Sequence, residues 1–186
     1  HYILTPLNGI VGMINLSERY ANDTDKLYEC KEKVLTSLDY LLSLINDILD
    51  MNKVESGTLV LENKPFNLID ILNKIIAITE TNCEQHNIQF FGGKDMSKII
   101  HRNFVGSGEY LNRLLMNMTS NAFNYNREDC SVTLYCTVLS SDDTHALYEF
   151  VCKDTGLGMS EDFQKHAFEP FTCEGKPTTT GYNGTG

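Results

Sequence analysis

The stretch Asp154-Thr155-Gly156-Leu157-Gly158-Met159, followed by Phe168-Glu169-Pro170-Phe171 and Gly181-Tyr182-Asn183-Gly184-Thr185-Gly186, sets one carboxylate beside two separate glycine-bearing loops. A carboxylate can accept a hydrogen bond from an exocyclic amine. Glycines let backbone N–H groups approach phosphates with no side chain between. The combination suits a site that holds a nucleotide. A DxGxG string alone says little, and its meaning comes from the sequence upstream.

Two upstream strings supply that meaning. Asn117-Met118-Thr119-Ser120-Asn121-Ala122-Phe123-Asn124-Tyr125 sets asparagines four apart on a segment of helical spacing, and the chain opens His1-Tyr2-Ile3-Leu4-Thr5-Pro6-Leu7-Asn8-Gly9-Ile10. Taken in order, these strings resemble the H, N, G1, F and G2 boxes of bacterial-type sensor histidine kinases, over essentially the whole chain. The resemblance implies an α+β chain. Residues 1–56 would form an antiparallel helical hairpin for dimerisation and histidine phosphotransfer, a four-helix bundle as a dimer. Residues 57–186 would form an α/β sandwich that binds ATP, of the GHKL or Bergerat-like kind. Family members continue through a helix and further strands after the last glycine motif, so the sandwich is expected to be incomplete at Gly186.

Composition narrows the alternatives. Hydrophobic residues make up 41% of the chain, enough for a real core. With 25 acidic and 15 basic residues the net charge is −10, which leaves no basic footprint for nucleic acid. An anionic surface is compatible with ATP, whose phosphates arrive with magnesium and are held by local dipoles. Cys30, Cys83, Cys130, Cys136, Cys152 and Cys173 show no CxxC or CxxH spacing. That pattern points to reduced thiols in the cytosol rather than a disulfide framework or a zinc site. No apolar run reaches the length of a membrane span. The resemblance puts any sensor or membrane segment upstream of His1, making this region the cytoplasmic part of a membrane-bound sensor.

Periodicity outlines the elements. Ile3, Leu4, Leu7, Ile10, Val11 and Ile14 mark a first helix, and Asn22-Asp23-Thr24-Asp25 supplies turn and cap chemistry. A long helix is expected over 26–53, where Leu27, Val34, Leu41 and Ile48 recur at heptad spacing. Leu35, Leu42 and Leu49 widen the stripe beyond a two-stranded seam, which suits a four-helix bundle and so a homodimer. Beyond Ser56-Gly57, strands are expected over 58–62, 88–91, 99–105, 131–139 and 146–153, and helices over 68–84, 106–124 and 161–167. Asp154 would close the last strand.

His1 heads a His-x-x-x-x-Pro string, and an unprotonated imidazole is a competent nucleophile near neutral pH. The resemblance makes it the phosphoacceptor, attacking the ATP γ-phosphate and handing the group to the receiver-domain aspartate of a response regulator. Pro6 removes the donor for the Tyr2 carbonyl, so the helix should bend there. Thr5, one turn from His1, is in related proteins a position that helps place water for dephosphorylation; otherwise it is a solvent-facing threonine. By the same resemblance Asn121 would ligate Mg2+ through a hard amide oxygen, Asn117 would contact the phosphate side and Tyr125 would lie against adenine. Asp154 would accept the adenine amino hydrogen, and Gly156 and Gly158 would shape the loop. Phe168 and Phe171 would anchor a lid over 172–183, and Gly184, Thr185 and Gly186 would meet phosphates. Without the DxGxG string, the asparagines would read simply as the wet face of a helix. His86, His101, His145 and His166 show no ligand spacing.

Two positions depart from the family. Its members carry Glu or Asp after the histidine, where a carboxylate can take the second ring proton; Tyr2, with an ordinary pKa of about 10, cannot. At Asn124, which stands at the phosphate side, a lysine is common. Modest nucleotide affinity and weak autophosphorylation follow. The competing readings are a nucleotide-responsive scaffold or response-regulator phosphatase of the same fold, and a GHKL ATPase of the chaperone or mismatch-repair type. The His-x-x-x-x-Pro hairpin disfavours the last. Replacing Tyr2→Glu should raise phosphohistidine formation in a labelled-ATP assay; an unchanged yield would remove the missing base as the cause.

Overall fold

The computed structural model describes residues 3–93, 99–169, 172 and 174. The chain divides into two compact units, His1–Val60 and Leu61–Gly186.

The first unit is a helical hairpin of α1 (Leu4–Arg19) and α2 (Thr24–Glu55). Asp23 caps α2, its side chain accepting the Lys26 N–H at 3.2 Å. That amide holds the Asp23 carboxyl below its ordinary range, so the cap is at full strength above that range and fades as acid protonates the carboxyl. Pro6 sits in the first turn of α1, where a missing N–H costs no helical hydrogen bond. The carbonyl expected to lose its donor belongs to Tyr2, outside the described residues. Pro6 and Ile10 of α1 and Cys30, Ser37 and Leu44 of α2 are buried. Leu7, Val11, Ile14, Leu35, Leu38, Leu42, Ile45 and Leu49 remain exposed. The helices therefore cover only part of the apolar surface that the stripe provides.

The second unit places two helices on a sheet. β1 (Lys64–Asn67) pairs antiparallel with β3 (Asn103–Gly106), forming a separate ribbon. The main sheet has the order β2-β4-β5, with β2 (Gln89–Gly92) parallel to β4 (Ser131–Ser141) and β4 antiparallel to β5 (Ala146–Asp154). α3 (Leu68–Gln85) follows β1 directly, capped by Asn67, whose side chain accepts the N–H groups of Ile69 and Asp70. α4 (Gly108–Asn124) follows β3, and a short α5 (Glu161–Gln164) follows β5.

The expected strand over 58–62 is not formed; the strand preceding α3 is Lys64–Asn67. An apolar, β-branched run is no strand without a neighbour to satisfy its backbone, and only the segment opposite β3 has one. Nor does Ile99 join β3. It plugs the core instead, 3% exposed, beside Leu68, Leu72, Ile75, Leu115 and Leu134. A second cluster, Cys83, Ile88, Ala122, Phe123 and Val132, lies at the far ends of α3 and α4. Val132 and Leu134 are buried while Tyr135 is exposed, the alternation of a one-sided sheet. Phe104 meets Tyr148 edge-on with ring centroids 5.5 Å apart, and the Tyr148 hydroxyl donates to the His101 carbonyl, so the ribbon is fastened to β5. Burial pushes the Cys83 and Cys136 thiols up to about 11, and no helix among the described residues is long and apolar enough to cross a membrane.

Ile75 is fully buried at the centre of the larger cluster, whereas Ile100 is mostly exposed. Urea denaturation of the full chain should show Ile75→Ala losing about 2–5 kcal/mol and Ile100→Ala less than about 0.5 kcal/mol.

Candidate functional site

The site forms where α4 ends and β5 runs out. The last carbonyls of an α-helix have no intrahelical donor. Tyr125, the C-cap of α4, has its carbonyl met from outside by the Leu157 N–H at 3.0 Å. The DxGxG loop is thereby the cap of the helix that carries the paired asparagines. Gly156 makes this approach possible. A Cβ there would be driven into the Tyr125 carbonyl oxygen and would lie 3.0 Å from Asn126 Cα and 3.1 Å from Asn126 Oδ1. Gly158 has φ +69°, a backbone conformation that disfavours a side chain, although space around it is open. The two glycines are needed for different reasons, one for closeness and one for backbone conformation.

Asp154 ends β5, exposed, and its Oδ1 accepts the Gly156 N–H at 2.9 Å, which orients the carboxylate while leaving Oδ2 available to a ligand. The loop is tied back to β4: the Thr155 N–H donates to the Ser131 carbonyl at 3.1 Å, and the Ser131 N–H donates to Thr155 Oγ1 at 2.9 Å. Cys152 lies just before Asp154, and its thiol contacts the Met118 carbonyl of α4 at 3.8 Å. Burial, then the Asp154 carboxylate and Cys83, push that thiol up to about 11, so it is a protonated packing group at neutral pH.

Asn117 and Asn121 are exposed along α4, one turn apart, while Asn124 and Tyr125 are half-buried at its end. The Tyr125–Leu157 contact thus ties the end of α4, the helix that carries Asn121 and Asn124, to the loop of Asp154, Gly156 and Gly158. Phe168 is wholly exposed. After α5, Thr172 Oγ1 donates to the Glu169 carbonyl at 2.7 Å, and Glu174 accepts the Ser160 N–H at 2.9 Å. Thr5 is exposed on α1. His1, Tyr2, Phe171, Gly184, Thr185 and Gly186 lie outside the described residues. Among the described residues no group of His, Cys, Asp and Glu is arranged to hold a metal by itself. A cavity of about 460 Å³ opens at the opposite end of α4, between Lys64, Asp70, Lys74 and Glu109, and touches none of the predicted residues.

Sequence reasoning passed over Asn126. It is fully buried, its Nδ2 donating to the Ser131 carbonyl at 3.2 Å and its Oδ1 accepting the Arg127 N–H at 3.1 Å. The one available signal was its place directly after Tyr125; nothing in the sequence says that this amide is inside.

Comparison with known proteins bears on both units. Residues 1–57 match the His Kinase A (phospho-acceptor) domain, and residues 106–186 match the histidine kinase-, DNA gyrase B- and HSP90-like ATPase family. Over its whole length the chain is 31% identical to the sensor protein GacS of Pseudomonas syringae pv. syringae, covering 20% of that protein. It is likewise 29% identical to the autoinducer 2 sensor kinase/phosphatase LuxQ of Vibrio vulnificus strain YJ016, covering 21% of it. The chain therefore spans about a fifth of the length of these curated relatives. Among solved structures, the histidine kinase ThkA, crystallised in complex with response regulator protein TrrA, shares the fold with a TM-score of 0.63 at 21% identity, over 93% of this chain and 48% of that one. With a phospho-acceptor hairpin joined to an ATPase-type domain and relatives of the same kind along its full length, the chain belongs to the sensor histidine kinases of two-component systems.

Proposed function

We propose that this chain is the catalytic core of an ATP-dependent histidine kinase that phosphorylates its own His1 and passes the phosphoryl group to a response-regulator aspartate. In the first step a lone pair on a ring nitrogen of His1 attacks the γ-phosphorus. The bond from that phosphorus to the β–γ bridging oxygen breaks, ADP leaves with the electron pair, and the ring N–H proton passes to water. In the second, an aspartate carboxylate oxygen attacks the same phosphorus, the P–N bond breaks, and the histidine recovers a proton. Residues 1–56 act as dimerisation and phosphotransfer hairpin and residues 57–186 as the ATP-binding domain.

The observation that carries this reading is the capping of α4 by the DxGxG loop, which sets Asp154 near the asparagines of α4 within an ATPase-family domain. In the proposal Asp154 receives the adenine amino group and Tyr125 lies beside the ring. Asn117, Asn124, Gly184, Thr185 and Gly186 face phosphates, and Phe168 and Phe171 stand at the edge of the lid. Asn121 offers a neutral, hard amide oxygen that fits Mg2+, the ion that would neutralise phosphate charge. Thr5 is positioned for water during dephosphorylation of the regulator. The exposed apolar residues of α1 and α2 support a homodimer through this hairpin, since leaving them in water is costly. Attachment to a membrane through an upstream segment, with this region on the cytoplasmic side, completes the proposal.

Tyr2 and Asn124 favour a second reading, a nucleotide-binding scaffold or phosphatase with little kinase activity. Incubation of the full chain with γ-labelled ATP distinguishes them. Acid-labile, base-stable label that is lost in His1→Ala is the expected result. Nucleotide bound without label points to the scaffold, and steady phosphate release without a phosphoenzyme points to a simple ATPase. Asp154→Asn should weaken ATP binding about 10- to 100-fold, the loss of a hydrogen bond to a charged group (about 1.5–3 kcal/mol). Unchanged affinity in a titration would remove Asp154 from the adenine pocket.

A further inference from the structure

We propose that Asn126 is a positioning residue of the nucleotide site: its buried carboxamide fixes the Asp154–Gly158 loop against the end of α4, so that Asp154 and Asn121 face one ligand. This inference rests on reading that loop and α4 as the ATP site. Asn126 follows Tyr125 in the turn leaving α4 and is fully buried. Its Nδ2 donates to the Ser131 carbonyl at 3.2 Å, and that same carbonyl accepts the Thr155 N–H at 3.1 Å. Its Oδ1 accepts the Arg127 N–H at 3.1 Å. One side chain thus closes the exit of α4 onto the start of β4, and β4 holds the residue between Asp154 and Gly156. From the other side Gly156 lies directly on the Tyr125–Asn126 backbone, and the Leu157 N–H reaches the Tyr125 carbonyl.

The chemistry calls for an amide. One end of the side chain must donate, toward a carbonyl, and the other must accept, from an N–H; a neutral carboxamide does both in one plane. A leucine would fill similar space but take the acceptor from the Arg127 N–H and leave the Ser131 carbonyl with the Thr155 N–H alone. An aspartate would keep the acceptor but set a buried carboxylate oxygen against the Ser131 carbonyl oxygen, a clash relieved only when the carboxyl gains a proton and can donate. Asn126 reaches the ligand through Tyr125, Ser131 and Thr155 rather than by touching it.

The test measures ATP affinity of the full chain by displacement of a fluorescent ATP analogue, at a temperature where circular dichroism shows each protein folded. Asn126→Asp should bind at least 10-fold more weakly than wild type at pH 8, and the deficit should close as pH is lowered toward 5.5. The charges of Arg127, Glu128, Asp129 and Asp154 are common to both proteins and cancel in the ratio. Thr155→Val, at an exposed position, removes the Oγ1 acceptor of the Ser131 N–H and should weaken binding about 3- to 10-fold with little loss of stability. A folded Asn126→Asp with wild-type affinity overturns the inference, as does a deficit that stays constant with pH, which marks a packing defect only. If Asn126→Asp does not fold, Thr155→Val decides, and wild-type affinity there overturns it. Absence of ATP binding by the wild-type chain overturns the ATP reading and this inference with it, whereas tight wild-type binding unchanged in the variants overturns the inference alone.

Discussion

A helix that ends inside a protein leaves carbonyls that something must satisfy, and here the answer defines the site. The Tyr125 carbonyl at the end of α4 accepts a hydrogen bond from the N–H of Leu157, in the middle of the DxGxG loop. That single N–H can arrive because residue 156 has no Cβ. Helix capping therefore holds the end of α4 against the loop that carries Asp154, before any nucleotide is considered. Asp154 is oriented the same way, by an amide two residues on, which fixes one carboxylate oxygen and leaves the other free. Preorganisation of this kind spares a ligand the cost of ordering the loop.

The elements that the sequence made legible are those whose signals are local. The heptad stripe from Leu27 to Ile48 reads as one long helix, and the structure carries it from Thr24 to Glu55. The helix expected over 68–84 and the strands expected over 131–139 and 146–153 are likewise found, as α3, β4 and β5. What misled was strand propensity without a partner. Thr58 to Glu62 has the right residues and nothing to pair with, while Pro65 hides a real strand that β3 completes. Ile99 looked like the start of β3 and is instead a core plug. In the candidate site the glycines and Asp154 were visible as a motif, but the reason for Gly156 was not. A close approach to Tyr125 depends on two segments about thirty residues apart, which no local pattern encodes. Asn126 was invisible for the same cause, since burial of an amide is a property of its surroundings.

The two units meet their apolar demands differently. The second closes its own core, with α3 and α4 laid on the sheet and several side chains at or near zero exposure. The hairpin buries one side of each helix and leaves a long apolar strip in water. Two helices cannot surround a core, whereas four can, so the strip is where the proposed second copy would sit. An acidic chain with net charge −10 also repels its copies at long range, which leaves the short-range apolar strip to determine how they meet.

The parallel pairing of β2 with β4 joins segments far apart in the chain. Gln89 pairs with Ser131 across a connection that includes β3 and α4, so this part of the sheet rests on contacts distant in sequence. Hairpins such as α1–α2 or β4–β5 need only neighbouring segments and form early; long-range parallel pairing comes late and slowly. Asp154 stands at the end of the strand added to that sheet, and its loop caps a helix inside the crossover. The loop that carries Asp154 is consequently tied to the long-range, slow-forming class of contact in this domain rather than to a local hairpin.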